Sequence, residues 1–348
     1  MHAASTLSIL LLAALVQAGC VHTEPFRDRH GAILPNSIAV MEKVEIGGIP
    51  QMLWFRAADV EDPALILLHG GPGASEMALF RHFNADLEHH FLVVYWEQRG
   101  AGRSFSSDIP PDTMTVARML DDLDEVVRLV QRRFGKRKVV LLGHSWGTAL
   151  GTLYAFEHPG NVAAYVGTGQ IVASQEGERL SYDFALAQAR ERGDAKAVAE
   201  LESMGPPPHT VEQDLALGRW LERFGGEYHG DLSKGALIWA ALSTDEASLL
   251  DLVKFGRGNA FSLKHLHEEG SKFDFPARVD ALEVPVFFLL GRHDWNTPSV
   301  LAADYFEQIE APRKELVWFE GSAHNPPFEE PERFNRVLIE RVRPLALP

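Results

Sequence analysis

The chain has 348 residues, 46% of them hydrophobic, and a formal net charge of −15. That length supports one large α/β domain with an insertion, or two domains, and the acidic balance excludes a nucleic-acid partner, whose phosphates require a basic surface. The one cysteine, Cys20, excludes an intrachain disulfide and any cysteine-based metal cluster.

The first element is the apolar run LSILLLAALV at 7–16. It is too short to cross a bilayer as a helix and fits the h-region of a secretory signal. Val16-Gln17-Ala18 fits a cleavage site after Ala18. QAGC at 17–20 resembles the lipobox of bacterial lipoproteins, with Gln17 standing where an aliphatic residue is usual; that resemblance implies lipidation of Cys20. Residues 1–20 are therefore expected to be a signal peptide or lipoprotein signal. The protein is expected to be exported, periplasmic or membrane-anchored through lipid on Cys20. The alternative is an apolar N-terminal helix of a cytoplasmic protein.

Residues 38–58 read as two strands joined around GGIP, an antiparallel hairpin. Short apolar runs follow: ALILLHG (64–70), FLVVYWEQRG (91–100), KVVLLGHS (138–145), VAAYVGTG (162–169), VPVFFLLGRHD (284–294) and KELVWFEGSAH (314–324). Runs apolar on both faces suit strands buried in a parallel sheet. TVARMLDDLDEVVRLVQRRFG (115–135) carries Val116, Leu120, Leu123, Val127 and Val130 at helical spacing and stops at Gly135. A second helix, GTALGTLYAFEHP (147–159), is closed by Pro159. Strand and helix in alternation predict a doubly wound, mostly parallel α/β sheet. From about 171 to 280 the strand pattern stops and helices take over, at 181–193, at 194–205 behind Asp194, and from a Thr210/Gln213 capping box onward. The expected organisation is a sheet-forming core in two parts, 38–170 and 281–348, with an all-helical cap at 171–280 inserted between strands.

GHSWG (143–147) stands where a buried strand meets a helix. G-x-S-x-G in that setting is a nucleophile elbow: the serine backbone is strained, and its flanking glycines leave room for the turn. Ser145 is the expected nucleophile, and the Trp146 N–H that follows it is aimed at a developing oxyanion. The order Ser, acid, His predicts the partners on loops after late strands. Asp294 in GRHD and His324 in GSAH meet that order. His293 competes with His324, and Glu320 and Asp304 compete with Asp294. HGGPG (69–73) follows the strand ALILL, and Gly71 is the expected second oxyanion donor, since Pro72 has no N–H.

Together HGGPG, WEQRGAGRS (96–104) and GHSWGTAL (143–150) resemble the proline iminopeptidase branch of the α/β-hydrolase superfamily over roughly 40–170 and 280–335. The resemblance implies the α/β-hydrolase fold and Ser145, Asp294 and His324 as a catalytic triad. The chain departs from the family pattern with Glu97 in place of Asp and His144 in place of Gly. In this family the cap sets the substrate.

The expected function is a serine hydrolase acting through an acyl-enzyme on an ester or amide carbonyl of a small molecule or short peptide. The alternatives are a carboxylesterase or lactonase without peptidase activity, and a non-catalytic ligand receptor on the same scaffold. An aminopeptidase must bind a free ammonium group, and Glu176 and Glu178 in QEGE (175–178) are the candidate acceptors, nearest the end of VAAYVGTG. No cofactor is expected. No metal site is expected either: H-x-x-x-H spacing and phosphate loops are absent, and KHLHEE (264–269) reads as a solvated helix face.

Overall fold

The computed structural model describes residues 22–347; the N-terminal run and Cys20 lie outside them. β1 (Ile38–Ile46) and β2 (Ile49–Ala57) form the antiparallel hairpin. They are followed by β3 (Ala64–Leu68), helix α1 (Met77–Phe83), β4 (Leu92–Trp96), α2 (Val116–Phe134), β5 (Val139–His144), α3 (Trp146–Glu157) and β6 (Val162–Thr168). After the helical insertion come β7 (Val286–Gly291), α9 (Ser299–Gln308) and β8 (Lys314–Phe319). The eight strands make one open sheet in the order β1-β2-β4-β3-β5-β6-β7-β8. β2 pairs antiparallel with β4, and every later pairing is parallel.

Every residue of β3 to β7 is buried, which is why these strands read as unbroken apolar runs rather than alternating ones. One face packs under α2, α3 and α9 through Leu123, Val127, Leu150, Leu153 and Tyr305. The other packs under α1 and the C-terminal helices through Phe80, Phe328 and Phe334. α2 has local reasons for both ends: the Thr115 hydroxyl accepts from Arg118 N at 3.1 Å, and Gly135 closes the helix at φ 65°.

Between β6 and β7 the described residues form five α-helices and no sheet strand: α4 (Ser174–Glu191), α5 (Ala195–Met204), α6 (Val211–Phe224), α7 (Lys234–Leu242) and α8 (Leu249–Gly270). Asp194 caps α5 by accepting from Ala197 N at 3.1 Å, and Thr210 and Gln213 close the reciprocal box on α6. α4 begins at Ser174, seven residues before the expected start at 181. The cause is tertiary. Ala173 supplies no side-chain cap, and Ser174 N instead donates to Phe273 O, beyond the end of α8, at 2.8 Å. Tyr182, Leu201, Leu217, Trp220 and Phe224 give α4 to α6 a small apolar core of their own.

The parallel strands all deliver their carboxyl ends to one edge of the sheet, where ligand sites form in open α/β folds. His69, Ser145, Gly169 and the loops bearing Asp294 and His324 follow β3, β5, β6, β7 and β8 there.

Candidate active site

Ser145 has φ 52° and ψ −120°, and it is the one non-glycine residue at positive φ among the described residues. This costs of order 1–3 kcal/mol and persists only where the surroundings impose it. Here the crossing of β5 into α3 imposes it. A Cβ at Gly147 would lie 1.8 Å from Leu68 O, and one at Gly143 would lie 2.7 Å from Gly147 O. No larger residue fits either position, so the glycine spacing is the steric condition for presenting the serine.

Asp294 and His324 are both buried, each 3% exposed. His324 Nδ1 lies 3.0 Å from Asp294 Oδ2. The rest of the Asp294 carboxylate is occupied: Oδ1 accepts from Asn296 N and Thr297 N, both at 2.9 Å, and Oδ2 from Thr297 Oγ1 at 2.9 Å. Donors on every side fix the direction of the pair. Burial opposes charge on His324, but the Asp294, Glu227 and Glu76 carboxylates together outweigh it and the imidazole is pushed up to about 9. Nε2 is the ring nitrogen that Asp294 leaves unengaged.

Three contacts bring the histidine to the elbow. Ser145 N donates to Thr168 O at 3.0 Å, and the next residue, Gly169, sits so close to the His324 ring that a Cβ there would lie 2.7 Å from Cε1. His144, the residue before the serine, reaches His324 O through Nε2 at 3.0 Å.

The competing residues are engaged elsewhere. His293 stacks on His229 with ring centroids 3.7 Å apart. Glu320 is exposed and paired with Arg292 at 2.8 Å, and Asp304 is exposed on α9.

For an oxyanion, Gly70 N is already committed to Glu76 Oε2 at 3.2 Å and Pro72 has no N–H, while Gly71 N remains a candidate donor in this loop. Gly71 and Trp146 share the wall of one cavity. Gln98 ties the two loops together: its N donates to His69 Nε2 and its Nε2 to His69 O, both at 3.1 Å, while its Oε1 accepts from Trp146 Nε1 at 3.2 Å. The rest of WEQRGAGRS is scaffold. Arg99 pairs with buried Asp122 at 2.8 Å, and Glu97 accepts from Ser75 Oγ at 2.9 Å and from Arg103 N at 2.6 Å.

The cavity, of about 480 Å³, lies between the sheet edge and the cap. Of the two glutamates predicted there, Glu178 lines it and Glu176 does not. Glu176 is about half exposed and held by Arg179 at 2.6 Å, because α4 starts early and turns it outward. Four carboxylates line the cavity, Glu178, Asp214, Glu222 and Glu227, against the two cationic side chains Arg219 and Lys234.

Two residues at the site carry no signal in the sequence. Glu227 follows α6 with no flanking motif, yet its carbonyl accepts from His324 N at 3.2 Å and from Asn325 Nδ2 at 3.0 Å. Burial pushes its carboxyl upward, with His324 opposing that shift. Glu76 is the other: it reaches His144 Nδ1 at 2.7 Å, so Gly70, Glu76, His144 and the His324 backbone form one chain of hydrogen bonds beneath the elbow. KHLHEE also differs from the expected solvated face. Lys264, Glu268 and Glu269 are exposed, but Leu266 is buried and His267 turns into the cavity wall, 2.7 Å from Asp214.

The family model described as alpha/beta hydrolase fold matches residues 63–331. A probable aminopeptidase, YbaC of Bacillus subtilis, is 33% identical over 313 residues, covering 88% of this chain and 97% of that protein. The proline iminopeptidase of Heyndrickxia coagulans is 26% identical over 288 residues, covering 79% and 88%. Among solved structures, a proline iminopeptidase of Mycobacterium smegmatis matches with a TM-score of 0.64 at 18% identity, over 88% of this chain and 99% of that one; this likeness speaks to the fold.

Proposed function

The chain belongs to the alpha/beta hydrolase fold family, and from that premise we propose that it is a serine hydrolase that removes the N-terminal residue of short peptides. The observation that carries the serine mechanism is the pairing of His324 with Asp294 at 3.0 Å against a Ser145 held at φ 52°. His324 Nε2 takes the hydroxyl proton as Ser145 Oγ attacks the carbonyl carbon. Asp294 holds the ring and stabilises the imidazolium, and the Trp146 and Gly71 amides receive the oxyanion. The C–N bond then breaks, His324 returns the proton to the leaving amine, and water resolves the acyl-enzyme by the same steps.

Relatives named as aminopeptidases and the acidic cavity favour an amine-bearing substrate. Glu227 is the acceptor we assign to the substrate ammonium. It lines the cavity and adjoins the catalytic pair, and burial holds its carboxyl above the ordinary range until a cation restores the charge. Glu178 lines the same cavity; Glu176, exposed and bound to Arg179, has no part in this role.

The expected result is a preference of roughly 100-fold or more in kcat/KM for a free aminoacyl-arylamide over its N-acetylated form, because the acetyl group leaves a buried carboxylate unpaired. Glu227→Gln should shrink that ratio to within about tenfold by slowing the free-amine substrate alone. Equal rates on the two substrates would reject the aminopeptidase reading and leave an ester or lactone hydrolase.

A further inference from the structure

His209 lies in the turn between α5 and α6, with its side chain fully buried. Its Nε2 is 2.9 Å from Gly205 O. A carbonyl only accepts, so Nε2 carries the hydrogen, and in that tautomer Nδ1 presents a lone pair. Nδ1 makes no hydrogen bond, although it stands 2.8 Å from Glu178 Oε1 and 3.7 Å from Asp214 Oδ1. The approach to Glu178 misses hydrogen-bond alignment. The buried imidazole nitrogen is thus left unpartnered beside two carboxylates.

The three donor atoms lie within 4.8 Å of one another. Metal–ligand bonds of about 2.0–2.2 Å place tetrahedral zinc donors about 3.3 Å apart, so small side-chain adjustments suffice. Each donor is already supported. His209 N donates to Glu178 Oε1 at 2.8 Å, and His267 Nε2 meets Asp214 Oδ2, the oxygen turned away from His209, at 2.7 Å. Asp214 and His209 are thus anchored through their outer atoms, Oδ2 on His267 and Nε2 on Gly205 O, as metal ligands usually are, while the backbone bond to Glu178 falls on the oxygen beside Nδ1. Two carboxylates brought together at a buried imidazole also leave an uncompensated charge that a divalent cation neutralises.

We propose that Glu178, His209 and Asp214 bind a divalent transition-metal ion, zinc by donor chemistry, that joins α4 to α6 in the wall of the cap. One imidazole and two carboxylates suit zinc better than calcium or magnesium, which take oxygen alone. Glu178 and Asp214 line the cavity, so the remaining coordination position opens toward it. No spacing motif could reveal the set, because its members come from one helix, a turn and a second helix. The site is independent of the peptidase reading and stands or falls separately from it.

The test is a calorimetric titration of zinc chloride into the chelator-treated full chain. One site per chain is expected, with a rise of about several degrees in Tm, since a ligand of the native state stabilises it. X-ray absorption should find a first shell of nitrogen and oxygen at about 2.0–2.1 Å. His209→Ala and the near-isosteric Asp214→Asn should each weaken binding by roughly 100-fold or more. Glu24→Gln, which disables a separate exposed cluster of His22, Glu24 and Asp245, should leave it unchanged. A titration without one-site binding, as when a proton shared by Glu178 and Asp214 fills the gap, would overturn the proposal. So would affinity that survives His209→Ala or Asp214→Asn, or that falls with Glu24→Gln.

Discussion

Ser145→Ala is expected to abolish turnover, a fall of roughly 10⁴-fold or more in kcat, with the fold retained. The magnitude follows from the proposed role of the side chain, in which every covalent step passes through Oγ. Retention of fold follows from what sets the turn. Gly143 and Gly147 allow β5 and α3 to cross above Leu68, and both are unchanged in the variant. Alanine must still adopt φ near 52°, as the serine does, so the strain is common to both chains. Steady-state rates on an aryl ester and an aminoacyl-arylamide, with far-UV circular dichroism as the control for folding, check this. Activity within tenfold of wild type would remove Ser145 from the mechanism.

His324→Ala should lower kcat by about 10³-fold or more, while His293→Ala stays within a few-fold of wild type. The contrast rests on geometry. His324 is buried on Asp294, whereas the His293 ring stacks on His229. The reverse ranking would mean that the base is His293. The same pair sets a pH dependence. Only the unprotonated imidazole can accept the serine proton, so kcat/KM rises with pH as His324 loses its proton. Against burial, Asp294 with Glu227 and Glu76 raises that pKa to about 9, so the acid limb should lie above the ordinary imidazole value of 6.5. Asp294→Asn removes the negative charge and should move the limb toward lower pH as it lowers the rate.

The sheet was legible because its central strands are covered on both faces and so read as short apolar runs closed by glycine or polar residues. The elbow was legible because close packing at Gly143 and Gly147 admits nothing larger, so the local sequence records a tertiary constraint. Asp294 and His324 could be singled out because each follows a parallel strand, and such strands end on the same edge. The cap was legible only as helices. α4 starts seven residues early through a backbone bond to Phe273, which no local pattern announces. That shift carries Glu176 outward and leaves Glu178 at the cavity. Glu227 was hidden for a related reason. It lies in an irregular stretch after α6, and only the packing of that stretch on the Asp294 and His324 loops brings it to the site, through Trp295 N to Gly226 O at 3.0 Å and His324 N to Glu227 O. Glu76 and His144, 68 residues apart, are likewise joined by the fold alone.

The most direct measurement on the catalytic centre is reaction of the wild-type chain with a fluorophosphonate, followed by intact mass and peptide mapping. The expected result is one adduct per chain, on the peptide containing Ser145, forming at a rate that rises with pH along the same limb as hydrolysis and falling away in His324→Ala. A chain that hydrolyses substrate yet takes no adduct, or takes it at a residue other than Ser145, would contradict the assignment of Ser145, His324 and Asp294.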